Sequence, residues 1–194
     1  MAQKKCYSFN KIDFMGVLGL NHQRFIMSHR SIQKRKFMSV ESQIAISLHA
    51  IAAMMWVGGI FFAYRVLRPC AMNMEPNERV QLWQAVFRRF FGWVWLFISL
   101  IVVSGYWLIM QDFGGLEQTP LYLKVMSGIG WLMIVIFAWL FFGPFAKFKI
   151  RIAQYELAEA GQIMNTQMRP LIALNLMLGT LEFIIGATGG YWPI

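Results

Sequence analysis

Four long apolar runs separated by short polar ones dominate this chain. Residues 42–64, 90–111 and 125–146 contain no Asp, Glu, Lys or Arg, and residues 170–188 contain only Glu182. About 20 apolar residues carry a helix across the hydrocarbon core, and in lipid only helices and closed barrels satisfy their own backbone. Period-2 alternation is absent and the runs are too long for barrel strands. The pattern predicts an all-α protein, a four-helix antiparallel transmembrane bundle with spans at about residues 42–67, 88–111, 121–144 and 170–188. Arg68-Pro69 predicts the end of the first span, because proline breaks a helix. Val80, Trp83, Phe87 and Phe90 recur at helical spacing and predict a short interfacial helix leading into the second. Gly114-Gly115 and Pro120 mark a tight turn between the second and third. After Gly143-Pro144, residues 145–168 read as amphipathic, and Arg169-Pro170 opens the fourth span.

Charge divides the chain rather than describing it. The net charge is +9, yet residues 1–37 hold eight Lys/Arg against Asp13 alone, while the rest holds ten against eight acids. The basicity therefore belongs to an N-terminal extension, and a basic flank before a membrane span meets lipid headgroups rather than nucleic acid. This extension resembles a transit peptide in composition; the preferred expectation is that translation starts at Met38, leaving 38–194 as the membrane domain. Cys6 and Cys70 suggest no disulfide framework. Loop cations, among them Arg65, Arg68, Arg79, Arg88, Lys147 and Arg169, fall in the first and third connections. The positive-inside rule then predicts the two basic loops in the cytoplasm and both termini outside.

Ionisable groups within a span are costly and need a reason. His49 lies about 7–8 Å into the first span at 1.5 Å per residue. Lys124 starts the third span and Glu182 lies near the end of the fourth, so all three are predicted at one membrane face, with His49 and Glu182 facing a shared pocket and Lys124 at its mouth. Asn175, Gly179, Glu182 and Gly186 share a helix face. Each group also has a structural reading: His49 as a hydrogen-bonder, Lys124 snorkelling, Glu182 paired with Lys124. Cys70, Met72 and Met74 form a second constellation, since thiolate and thioether suit Cu(I). Met54, Met55, Met110, Met126, Met133 and Met177 would extend a copper route, although Met also fills apolar bundles. No nucleophile–base pair, phosphate loop or paired-carboxylate site is visible, which leans against an enzyme.

Short motifs carry a family resemblance across residues 41–190. Leu48-His49, Trp56-Val57-Gly58-Gly59 and Arg65-x-x-Arg68-Pro69, then Thr119-Pro120-Leu121-Tyr122-x-Lys124, resemble CopD-type copper-resistance membrane domains. Phe90-Phe91-Gly92-Trp93, Ser104-Gly105-Tyr106 and Gly130-Trp131 fit the same pattern. The resemblance implies a four-span protein of copper handling or transport, with His49, Cys70, Met72 and Met74 as metal ligands. His49, Trp56, Gly58 and Lys124 are also similar to positions of HemJ-type protoporphyrinogen oxidases, which bind haem b. That likeness implies a haem-dependent oxidoreductase with His49 as axial ligand and Lys124, Arg65 and Arg68 near the propionates. A third alternative is an assembly subunit without cofactor. The expected partners are the bilayer, a copper ion or haem, and a second copy of the chain as an open option.

Overall fold

The computed structural model of the protein describes residues 39–191; the extension of residues 1–37, with Cys6, lies outside them. Four helices are long and apolar enough to cross a membrane: Val40–Ala71, Pro76–Phe113, Leu121–Ala153 and Leu157–Tyr191. The described residues contain no strand. The protein is an all-α four-helix bundle and an integral membrane protein. Its elements are α1 (Val40–Phe61), α2 (Arg68–Ala71), α3 (Pro76–Phe113), α4 (Leu121–Phe142), α5 (Pro144–Ala153), α6 (Leu157–Ile163) and α7 (Arg169–Thr188). α1 packs along α3, α4 packs along α7, and α1 meets α7 across the bundle.

Three expected boundaries move, each for a local reason. Pro69 does not end the first span. Its ring lacks an N–H and crowds the carbonyl four residues back, at Arg65; a π-helical segment, Phe62–Leu67, widens the helix there, and α2 continues through Pro69. The same device recurs at Pro170. The chain is already helical from Leu157, passes through a π-helical segment at Met164–Met168, and absorbs Arg169-Pro170 at the start of α7. The interfacial helix expected around Val80 is not separate either: α3 is one helix of 38 residues. At 1.5 Å per residue it is about 57 Å long, well beyond a hydrocarbon core of about 30 Å.

The turn between α3 and α4 follows the sequence. Gly114 takes a left-handed conformation (φ 73°) and its N–H reaches the Ile109 carbonyl, a glycine cap that a side chain would strain. Ser39 caps the start of α1, where its Oγ accepts from the Ser42 N–H at 3.2 Å. The amphipathic stretch is bent rather than straight. Between α5 and α6, Arg151 pairs with Glu156 and, at 3.3 Å, with Glu159 across a turn in which Tyr155 has φ 60°.

Aromatic rings make most of the core. Phe91 packs edge-on against Phe137 and Phe145, at centroid separations of 5.4 and 4.9 Å, and Phe87 stacks between Trp83 and Phe91. Phe148, Leu140 and Met168 are fully buried around them. Outside, Val103, Trp139, Phe142 and Met177 are 69–70% exposed. Such apolar surface has no place in water and suits lipid tails.

Candidate functional site

His49 occupies the seam between α1 and α3. Its buried companions on α1 are Ser42, Ala45, Ala52, Trp56 and Ile60, a helical stripe, and His49 itself is half-buried along it. The ring lies against Gly105 of α3, where an added Cβ would come within 3.2 Å of Cε1. Even a Cβ there would sit tighter than an ordinary contact, so any side chain at this position presses on the ring. Nδ1 is 3.1 Å from the Ile101 carbonyl oxygen and 3.1 Å from Ser104 Oγ. A carbonyl oxygen can only accept, so the Ile101 bond requires the proton on Nδ1. Ser104 Oγ in turn donates to the Leu100 carbonyl, which leaves its oxygen free to accept from the same N–H. The neutral imidazole therefore presents an unprotonated Nε2, the nitrogen available to a metal.

The expected cluster of three does not close. Glu182, on α7, faces α4: its Oε1 lies 3.9 Å from the position of a Cβ on Gly130 and has no hydrogen-bond partner among the described residues. Lys124 Nζ donates to the Glu117 carbonyl at 3.1 Å and is exposed, so it ties down the α3–α4 turn instead of guarding a pocket. No ion pair or hydrogen bond joins any two of His49, Lys124 and Glu182 among the described residues. The shared depth is real, since the three sit toward the same end of antiparallel helices, but His49 belongs to the α1–α3 pair and Glu182 to α4–α7. Equal depth does not imply equal azimuth.

Asn175 is buried on the inner face of α7, as the helical phase predicts. Its Oδ1 and the Trp56 Nε1 both lack hydrogen-bond partners among the described residues, and both residues line a cavity of about 20 Å³. That volume accommodates one water, which could accept from the indole and donate to the amide.

Nor do the soft donors form one cage. Among the described residues no group of three or more His, Cys, Asp or Glu could hold a metal. Cys70 is an exposed free thiol. Met72 lines a cavity shared with Arg68, Arg79 and Arg169, whose charge opposes a bound cation. The supposed methionine route points outward in large part: Met54, Met55, Met110 and Met177 are more than half exposed on the lipid side, while Met133 packs in the core.

Haem fits poorly with the residues first assigned to it. Arg65 and Arg68 lie on the same continuous helix as His49, 16 and 19 residues away, or about 24–28 Å at 1.5 Å per residue. A single haem cannot place iron at one and propionates at the others. Arg65 is exposed in any case.

Sequence reasoning missed the carbonyl of Ile101 and Ser104, which orient His49, because their role depends on the register of α3 against α1. It also missed that Arg79 and Arg169 converge with Arg68; the repeated Arg-Pro at 68–69 and 169–170 was the available signal.

Comparison with known proteins gives one family. A family model described as copper resistance protein D (CopD) matches residues 84–188, more than half of the 194-residue chain, covering most of α3 and all of α4 to α7. No curated protein matches the chain, and neither does a solved structure. The similarity to HemJ-type oxidases draws no support from these comparisons. The chain belongs to the copper resistance protein D family.

Proposed function

We propose that this protein handles copper within the membrane, with His49 as an imidazole ligand to the ion in transit. The observation that carries the reading is the bond from His49 Nδ1–H to the Ile101 carbonyl, which leaves Nε2 as a free, oriented lone pair inside a membrane helix pair. Imidazole suits copper, and metal-binding histidines are commonly held by a hydrogen bond to a carbonyl from the other nitrogen. Membership of a family described by copper resistance supports copper as the cargo. Copper is here substrate, not a resident cofactor: a single neutral donor binds weakly enough to release. In this reading the basic loops face the cytoplasm, by the positive-inside rule, and the α3–α4 turn faces outward.

The test is copper binding by detergent-purified full chain under reducing conditions, together with copper tolerance of a deletion strain. His49→Ala should abolish binding while leaving the helical content unchanged. Binding that survives His49→Ala would move the site elsewhere. Normal tolerance together with no bound copper would leave the assembly-subunit reading in its place. A probe on a cysteine placed at Gly115 should react only from outside; labelling from the cytoplasm inverts the orientation.

A further inference from the structure

Of the half-buried loop arginines, Arg151 is paired with acids, and the other three line one cavity. Arg68 follows the first π-helical segment, Arg79 sits near the start of α3, and Arg169 follows the second π-helical segment; Arg65, Arg88 and Arg89 are exposed. The cavity measures about 290 Å³. Its floor is apolar, from Ala63, Trp83, Phe87, Met164 and Ile172, with Asn165 adding an amide. Tyr64 lies between two of the cations: the Arg68 and Arg169 guanidinium carbons are 5.6 and 6.0 Å from its ring centroid. None of the three arginines has an acidic partner, since the ion pairs among the described residues all belong to Arg151. Burying cations without a counter-charge is unfavourable, and three in one cavity repel one another. An anion relieves both costs.

The backbone points to the same place. Both π-helical segments border this cavity: Phe62–Leu67 supplies Ala63 and Tyr64, and Met164–Met168 supplies Met164 and Asn165. π-Helical turns inside α-helices occur often at functional sites. Each ends at an Arg-Pro pair, so the same irregularity presents an arginine from two helices to one space.

We propose that this cavity binds the phosphate of an anionic membrane phospholipid, with Arg68, Arg79 and Arg169 around the headgroup and the start of an acyl chain on the apolar floor. Guanidinium forks match phosphate oxygens geometrically, and a basic pocket between membrane helices is a recurring lipid site. The apolar floor favours a lipid over a free phosphate, which has nothing to place there. The site lies at the opposite end of the first span from His49 and does not depend on copper.

The test uses the full chain in phosphatidylcholine nanodiscs, with phosphatidylglycerol added and bound lipid read by native mass spectrometry. Phosphatidylglycerol should be retained over phosphatidylcholine. Arg68→Gln with Arg169→Gln should weaken retention about tenfold or more, as loss of charge-assisted bonds implies. The triple change Arg65→Gln, Arg88→Gln and Arg89→Gln removes more charge from the same end of the bundle and should leave retention essentially unchanged. Equal loss in the exposed triple would overturn the site in favour of general surface attraction. Displacement of the lipid by inorganic phosphate would assign the cavity to a soluble phosphate instead. If the double variant fails to fold, Arg79→Gln, on a different helix, decides: unchanged retention there overturns the proposal.

Discussion

At the end of the bundle that carries the basic loops, Phe87, Phe91, Phe145 and Phe148 pack ring against ring, with Leu140 and Met168 closed over them. At the opposite end the buried positions are mostly small, Ser42, Ala45, Ala52, Ser104 and Thr119, with Ile185 the large exception. There the helices approach closely through small residues, and hydrogen bonds set their register: Ser42 Oγ donates to Asp112 Oδ1 at 3.0 Å, and His49 bonds across to α3. The first end is held by shape and the second by directional contacts between small groups. A membrane protein gains little by moving apolar side chains from lipid into its interior, so ring packing serves mainly through dispersion and fit. The small-residue end gives up packing volume for an oriented polar group. That is the end at which an imidazole lone pair is left over, while unpaired arginines collect at the other.

The contrast can be broken most forcefully at the aromatic end. Phe91→Ala removes the ring that touches five neighbouring aromatics and should cost about 3–5 kcal/mol, read as a lowered unfolding midpoint in detergent with helicity retained below it. An effect below that of any change at the His49 end would show that the rings are not the main packing element.

Gly105→Val acts at the other seam. A side chain there meets the His49 ring, forcing α1 and α3 apart or the ring out of place, at about 1–3 kcal/mol. Copper binding should fall more than stability does, because orientation of Nε2 is lost before the bundle is. Equal copper binding in this variant would show that the Ile101 bond does not prepare the ligand.

Ser42→Ala should cost about 1 kcal/mol, the net worth of its bond to Asp112, and leave copper binding unchanged. The smallest effect is expected between the two ends. Asn175→Leu removes the unpartnered amide and fills the 20 Å³ cavity, so stability should stay within about 1 kcal/mol of the parent or rise. A loss several times larger would mean that the amide and the Trp56 indole are joined through an ordered water that the bundle needs.

The four spans were legible because lipid imposes a length and an apolar content that few other structures share. The inner placement of Asn175 followed from the 3.6-residue period, whereas the buried stripe of α1, Ala45, Ala52, Trp56 and Ile60, emerged only in the fold. The ends of the spans were less legible. Pro69 read as a stop and Pro170 as a start, whereas the helix around each widened and ran on through it. The site was legible residue by residue and misread as a set: His49 bonds to Ile101 and Ser104, Lys124 to the Glu117 carbonyl, and Glu182 faces α4 with its Oε1 unpartnered among the described residues.

Sequence alone determined that this chain crosses a membrane four times, where cations gather along it, and how deep each polar group lies, because those properties depend only on order along a helix. Tertiary structure decided what each group faces. Rotation of one helix about its own axis changes no sequence periodicity, yet it separates His49 from Glu182 and brings Arg79 of α3 to the cavity shared by Arg68 and Arg169. Those azimuths are set by which side chains can pack at the seams, by Gly105 against His49 and by the rings around Phe91, and such contacts join residues far apart in the chain.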